Sequence, residues 1–179
     1  MEINVNKKEM VALMDKLLSG HDKAKKTMSD AAELHFVDGK LQRVLVSNVG
    51  EALNAWRLCR GVANTSNIPL WYWCTGRMKL PEMVDAAFQN TFNNRDKKMG
   101  DTVPLGVIFI DETEKINDHP EVLNKLLEAI NGREIKCDSG RVVNTKDLMF
   151  VFGSVLEQSK LEEVLPDRLK SCFTESIEL

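Results

Sequence analysis

The sequence predicts an α/β fold, a three-layer sandwich built on one mostly parallel, five-stranded sheet with helices on both faces and a helical appendage at its amino end. Three observations predict it. Short runs of branched and aromatic residues alternate with stretches whose apolar side chains recur every three or four positions, which is how strands alternating with helices read. One run, Gly106-Val107-Ile108-Phe109-Ile110, is apolar throughout and stops at two adjacent carboxylates, Asp111 and Glu112. A strand buried on both faces looks like this when it delivers acids to the carboxyl edge of the sheet, where open α/β sheets bind ligands. Finally, glycines and polar clusters fall between the runs, where the chain must turn.

Taken in order, Asn6 and Glu9 have the spacing of a capping box. Met10, Leu13, Met14, Leu17 and Leu18 then make one stripe, so a helix is expected over 7–18, ended by Gly20. A second, more polar helix is expected over 22–35 before Asp38-Gly39 turns the chain. These two form the appendage, 1–38, and the core is 39–179. Residues 41–47 read as the first core strand, 48–51 as a short loop, and 52–62 as a helix with Leu53, Trp56, Cys59 and Val62 or Ala63 toward the sheet. Residues 68–74 read as the second strand. Its Trp71, Tyr72 and Trp73 point to alternating faces, so cover on both sides is expected.

A helix is expected over 81–92 and a polar loop over 93–101. Beyond Glu112, Asp118 and Glu121 bracket Pro120 as a helix start, with Val122, Leu123, Leu126, Leu127 and Ile130 as its buried face up to Gly132. Residues 134–144, centred on Ser139-Gly140, read as a two-stranded excursion. Residues 148–153 make the fourth core strand, 161–169 a helical region broken at Pro166, and 174–179 the last strand.

Composition narrows the function. A chain of 179 residues can build one real core but not a second large domain. Its formal charge of -3, with basic and acidic residues interspersed, leaves no stripe for a phosphate backbone and argues against nucleic-acid partners. Cys59, Cys74, Cys137 and Cys172 form no Cys-x-x-Cys pair, so buried reduced thiols are expected in place of a zinc or disulfide framework. His21, His35 and His119 have no metal-ligand spacing. No apolar run is long enough to cross a bilayer and the start lacks a signal-peptide pattern, so a cytoplasmic protein without a membrane partner is expected.

Over 106–152 the segments follow a recognisable order. Gly-Val-Ile-Phe-Ile-Asp-Glu-Thr-Glu-Lys-Ile comes first, followed by His119-Pro120-Glu121-Val122-Leu123-Asn124-Lys125-Leu126-Leu127. Then come Asn131-Gly132-Arg133 and Ser139-Gly140-Arg141-Val142-Val143-Asn144, before a hydrophobic strand. This order resembles the large α/β subdomain of AAA+ ATPases, and within them the Clp-type heat-shock unfoldase branch. The resemblance continues more weakly back to Leu41 and forward to Leu179. It implies a P-loop NTPase-like sandwich, in which these segments are Walker B, the next helix, the hairpin before sensor 1, and the sensor 1 strand. It also implies ATP and Mg²⁺, with Asp111 holding the metal, Glu112 activating water and Ser154, at the sensor 1 position, orienting that water.

Several positions depart from the family's pattern. A phosphate loop needs Gly, four residues, then Gly-Lys-Ser/Thr, because backbone N–H groups wrap the phosphates, Lys neutralises them and the hydroxyl meets Mg²⁺. The corresponding place holds Asn48, Val49, Gly50, Glu51 and Ala52, a degenerate Walker A in which Glu replaces Lys and Ala replaces the hydroxyl. At ~4 Å with surface-like screening a charge pair is on the order of 4 kcal/mol, so Glu51 turns an attraction into a repulsion of that size. The family's arginine-finger position falls on Ser171 or Cys172, leaving Arg168 as a displaced candidate, or else an ordinary solvated helix residue. The sequence ends after the fifth strand, so the expectation is a core without the helical lid, either as a fragment of a longer protein or as a protein that never had one.

Together these departures favour a degenerate AAA+ module, a pseudo-ATPase deficient in ATP hydrolysis that acts by binding a protein partner or by self-assembly. The alternative is an active AAA+ ATPase with a divergent loop that remodels proteins or nucleoprotein complexes. A DNA-touching loader subunit is a third reading, disfavoured by the acidic balance.

Overall fold

The computed structural model describes residues 3, 5–48, 50, 53–78, 86–87, 104–136 and 142–179. The helix expected over 81–92 (bar 86–87), the loop over 93–101, the hairpin tip at 137–141 and Val49, Glu51 and Ala52 lie outside the described residues. The first helix, α1 (Lys7–Leu17), opens where the Asn6 side chain accepts the Glu9 N–H at 3.3 Å, satisfying a donor the helix itself leaves free. It is followed by α2 (Asp22–Phe36). Met10, Met14 and Met28 are fully buried and share one apolar cluster with Leu58, Cys59 and Val62 of α3 (Leu53–Thr65). Gly61 makes this approach possible, because a Cβ there would stand 2.3 Å from Met14 Cγ.

Five strands, β1 (Arg43–Ser47), β2 (Leu70–Cys74), β3 (Gly106–Asp111), β6 (Leu148–Gly153) and β7 (Glu175–Glu178), form the sheet. They run in the order β2-β3-β6-β1-β7, every neighbouring pair parallel. The excursion is an antiparallel pair, β4 (Glu134–Lys136) with β5 (Val142–Asn144). Every residue of the central strands β3 and β6 is buried, in keeping with their unbroken apolar runs. One face carries α1, α2 and α3. The other carries α4 (Pro120–Ile130), which contributes Val122, Leu126 and Ile130, and the leucines Leu161 and Leu169 of α5 (Gln158–Val164) and α6 (Asp167–Lys170). The three-layer, mostly parallel α/β sandwich expected from the sequence is therefore the fold observed. Among the described residues no helix is long and apolar enough to cross a membrane.

Four local expectations are corrected. Leu53 is 54% exposed and points away from the sheet, because the helical period that turns Cys59 and Val62 inward carries Ala55 and Leu58 with them. Tyr72 is 48% exposed while Trp73 is buried, since β2 is an edge strand of the described sheet. Pro120 opens α4 with Glu121 in its first turn as expected, but the residue before it is His119, and Asp118 ends a 3-10 turn over Thr113–Asp118 instead of capping the helix. Among the described cysteines only Cys59 is buried, Cys74 and Cys172 being half-exposed.

Candidate functional site

Parallel strands align their carboxyl ends, and four of the residues singled out in the sequence gather there. β1 ends at Ser47 and passes to Asn48, β3 ends at Asp111 and passes to Glu112, and β6 ends at Gly153 and passes to Ser154. The register sets Cys74 of β2 beside Asp111 and Tyr72 beside Phe109. A parallel register puts paired residues on one face, so the tyrosine and the acid share a side of the sheet.

Asp111 is buried, and both of its carboxylate oxygens have donors from the chain. The Tyr72 hydroxyl donates to Oδ2 at 2.7 Å and the Glu112 amide to Oδ1 at 2.8 Å. The Tyr72 ring is fixed in turn by an edge-to-face contact with Trp56 at 5.9 Å and a tilted one with Phe109 at 5.8 Å. Burial, and then the carboxylate, push the Tyr72 phenol above its ordinary value, because the phenolate would lose water and face a negative charge.

Glu112 takes the left-handed conformation, φ 54° and ψ 42°, which non-glycine residues seldom occupy. There the chain turns out of β3 into the 3-10 segment, and the carboxylate meets Lys115 Nζ at 2.6 Å and Cys74 Sγ at 3.1 Å. Lys115, and then the thiol, hold the Glu112 carboxyl below its usual range. Burial, and then Glu112, raise the Cys74 thiol. Gly76 gives this cluster its room, since a Cβ there would fall 2.0 Å from Glu112 Oε2 and 2.9 Å from Lys115 Cδ.

Ser154 is likewise engaged. Its buried hydroxyl donates to Glu114 Oε2 at 2.5 Å and accepts the Leu156 N–H at 3.1 Å. At the start of the loop that follows β1, Asn48 is exposed and left-handed, at φ 55°. Its N–H donates to the Leu156 carbonyl at 2.8 Å. Gly50 also has positive φ, at 34°, and Val49, Glu51 and Ala52 are outside the described residues.

Arg168 is not brought to this edge. It lies on α6, ahead of β7, and donates to Asn124 Oδ1 of α4 at 3.1 Å. The side chains that sequence reasoning missed are Tyr72, Cys74, Glu114 and Lys115. The i, i+3 spacing of Glu112 and Lys115 was a readable hint. The other three act across strands and needed the register.

Comparison with known proteins agrees with this architecture. Residues 82–176, more than half of the chain, match the model described as AAA domain (Cdc48 subfamily). The chain belongs to the AAA domain family. A stretch of 65 residues is 32% identical to the chaperone protein ClpB of Pseudomonas putida, covering 36% of this chain and 7% of ClpB. This likeness supports an AAA+ core of the Clp branch with a P-loop NTPase-like sheet. The chain thus spans only a small fraction of that relative's length.

Proposed function

We propose that this chain is a degenerate AAA+ module, deficient in ATP hydrolysis, that acts by binding a protein partner or by self-assembly. One observation carries the reading: the acids in the Walker B place are engaged by the protein's own donors. Asp111 has one oxygen on Tyr72 and the other on the Glu112 amide, so a magnesium ion would share each oxygen with a donor already in place. Glu112 is held by Lys115 and Cys74 with its carboxyl lowered, whereas a base that takes a proton from water works best near neutral pKa.

The described residues therefore argue against a fit to Mg²⁺–ATP, and no chemical step is assigned through it. The sequence adds weight, since the loop lacks the lysine and the hydroxyl that would hold phosphate and metal. The Ser154 hydroxyl donates its one proton to Glu114, so it could meet a water only as an acceptor. ClpB carries the name of a chaperone protein, which supports a protein as the thing acted upon or bound.

Calorimetric titration of the folded protein with Mg²⁺–ATP tests the proposal. No heat of binding is expected. Micromolar binding that disappears in Asp111→Ala would instead establish the alternative, an active ATPase that remodels proteins. Light scattering over a concentration series tests self-assembly separately, a rise in mass with concentration being the result expected of it.

A further inference from the structure

At the amino edge of the sheet, opposite the acid pair, lies a cleft of about 820 Å³. Arg43, the first residue of β1, lines it together with Arg133 and Arg168. Four residue steps of strand separate Arg43 from Ser47, or about 13 Å, so this cleft is distinct from the carboxyl edge. Glu128 of α4 also lines it, while Leu127 and Phe173 provide an apolar wall.

Among the described residues, none of the three guanidiniums is within ion-pair distance of a carboxylate, although acidic residues outnumber basic ones in the chain. Arg43 Nε donates to the Ile130 carbonyl at 2.7 Å and Arg168 to Asn124 at 3.1 Å. Those bonds orient two of the forks and leave their other N–H groups unused. Among the described residues the Arg133 side chain has no hydrogen-bond partner. Glu128 is the one carboxylate lining the cleft against three guanidiniums, so positive charge is left in excess there. Three guanidiniums less the one carboxylate of Glu128 leave a formal charge of 3 − 1 = +2, the complement of a dianion.

We propose that this cleft binds the phosphate monoester of a small molecule, with the guanidiniums on the phosphate oxygens and the organic part against Leu127 and Phe173. Guanidinium forks match phosphate oxygens in bidentate geometry. A phosphate monoester carries about −1.5 to −2 charges at neutral pH. The volume falls within the range of small-ligand sites, roughly 300–1,000 Å³. A nucleic-acid backbone would need a continued basic stripe, which the acidic composition does not supply.

The probe is phenyl phosphate, titrated calorimetrically into the protein at low salt, with succinate as the dicarboxylate comparison. Phenyl phosphate is expected to bind, and succinate about tenfold more weakly, because its two charges sit on separate groups. Arg133→Gln and Arg168→Gln, both at exposed positions, should each weaken phenyl phosphate about tenfold. Glu128→Gln should tighten it by removing a repulsion. Affinity should also fall as pH drops through about 6, where the phosphate takes up its second proton. Unchanged melting temperatures would show that the variants are folded. Absence of binding, affinity unaltered in both arginine variants, or succinate binding as tightly as phenyl phosphate would overturn the proposal.

Discussion

The Tyr72 hydroxyl donates to Asp111 Oδ2 at 2.7 Å, and Tyr72 is the only tyrosine in the chain. Its ionisation is therefore a direct optical report on the acid. In an alkaline absorbance titration the phenol should ionise above the ordinary value of about 10, because burial and then the Asp111 carboxylate disfavour phenolate. Asp111→Asn removes the second cause and keeps the first. The midpoint should move down without returning fully, and an unchanged midpoint would show that the pair is not formed in solution.

Gly76→Ala should break the hold on Glu112. The added methyl would stand 2.0 Å from Glu112 Oε2, so the carboxylate must swing away from Cys74 and Lys115. A cost of about 1 kcal/mol in urea unfolding is expected, because the obstacle is the end of a flexible side chain. Cys74 would lose the carboxylate that helps to raise its thiol. It should then react faster with a disulfide reagent, and Glu112→Gln should reproduce that gain without the steric change.

His35 makes stability depend on pH. The ring is buried, and Nδ1 accepts the Gln42 N–H at 3.1 Å. Burial lowers its pKa to about 4 from an ordinary 6.5. Between those values the unfolded chain binds a proton that the folded chain refuses, so stability rises with pH across the window. The contribution is complete above about 6.5 and is lost as pH falls toward 4, by on the order of 3 kcal/mol. Urea unfolding midpoints measured over that range should fall with acid in the native protein and flatten in His35→Gln.

Much of the fold was legible because its strongest signals are local. The apolar run ending at Asp111 became a strand buried along its whole length, and residues 148–153 became β6 within the expected bounds. Asn6 capped α1 as its spacing indicated. What the sequence could not convey depends on which elements become neighbours. Tyr72 looked like a covered aromatic in a strand, and only the edge position of β2 leaves it half-open and able to reach Asp111. Leu53 looked sheet-facing because the helix phase was read from too few residues. The acids themselves were found from sequence, but their bonds to Tyr72 and Cys74 span 39 and 38 residues of chain, beyond any local pattern. The arginine cleft was hidden for the same reason, as Arg43, Arg133 and Arg168 are widely separated and meet only through the order of the strands.

Asp111, Glu112 and Ser154, which the proposed reading assigns to the Walker B and sensor 1 places, are each bonded within the chain. The most direct measurement of the resulting claim is phosphate release from ATP with Mg²⁺, compared between the native protein and Glu112→Gln at equal concentration. The account predicts that both give only the background rate. Turnover by the native protein that is abolished by Glu112→Gln would contradict it.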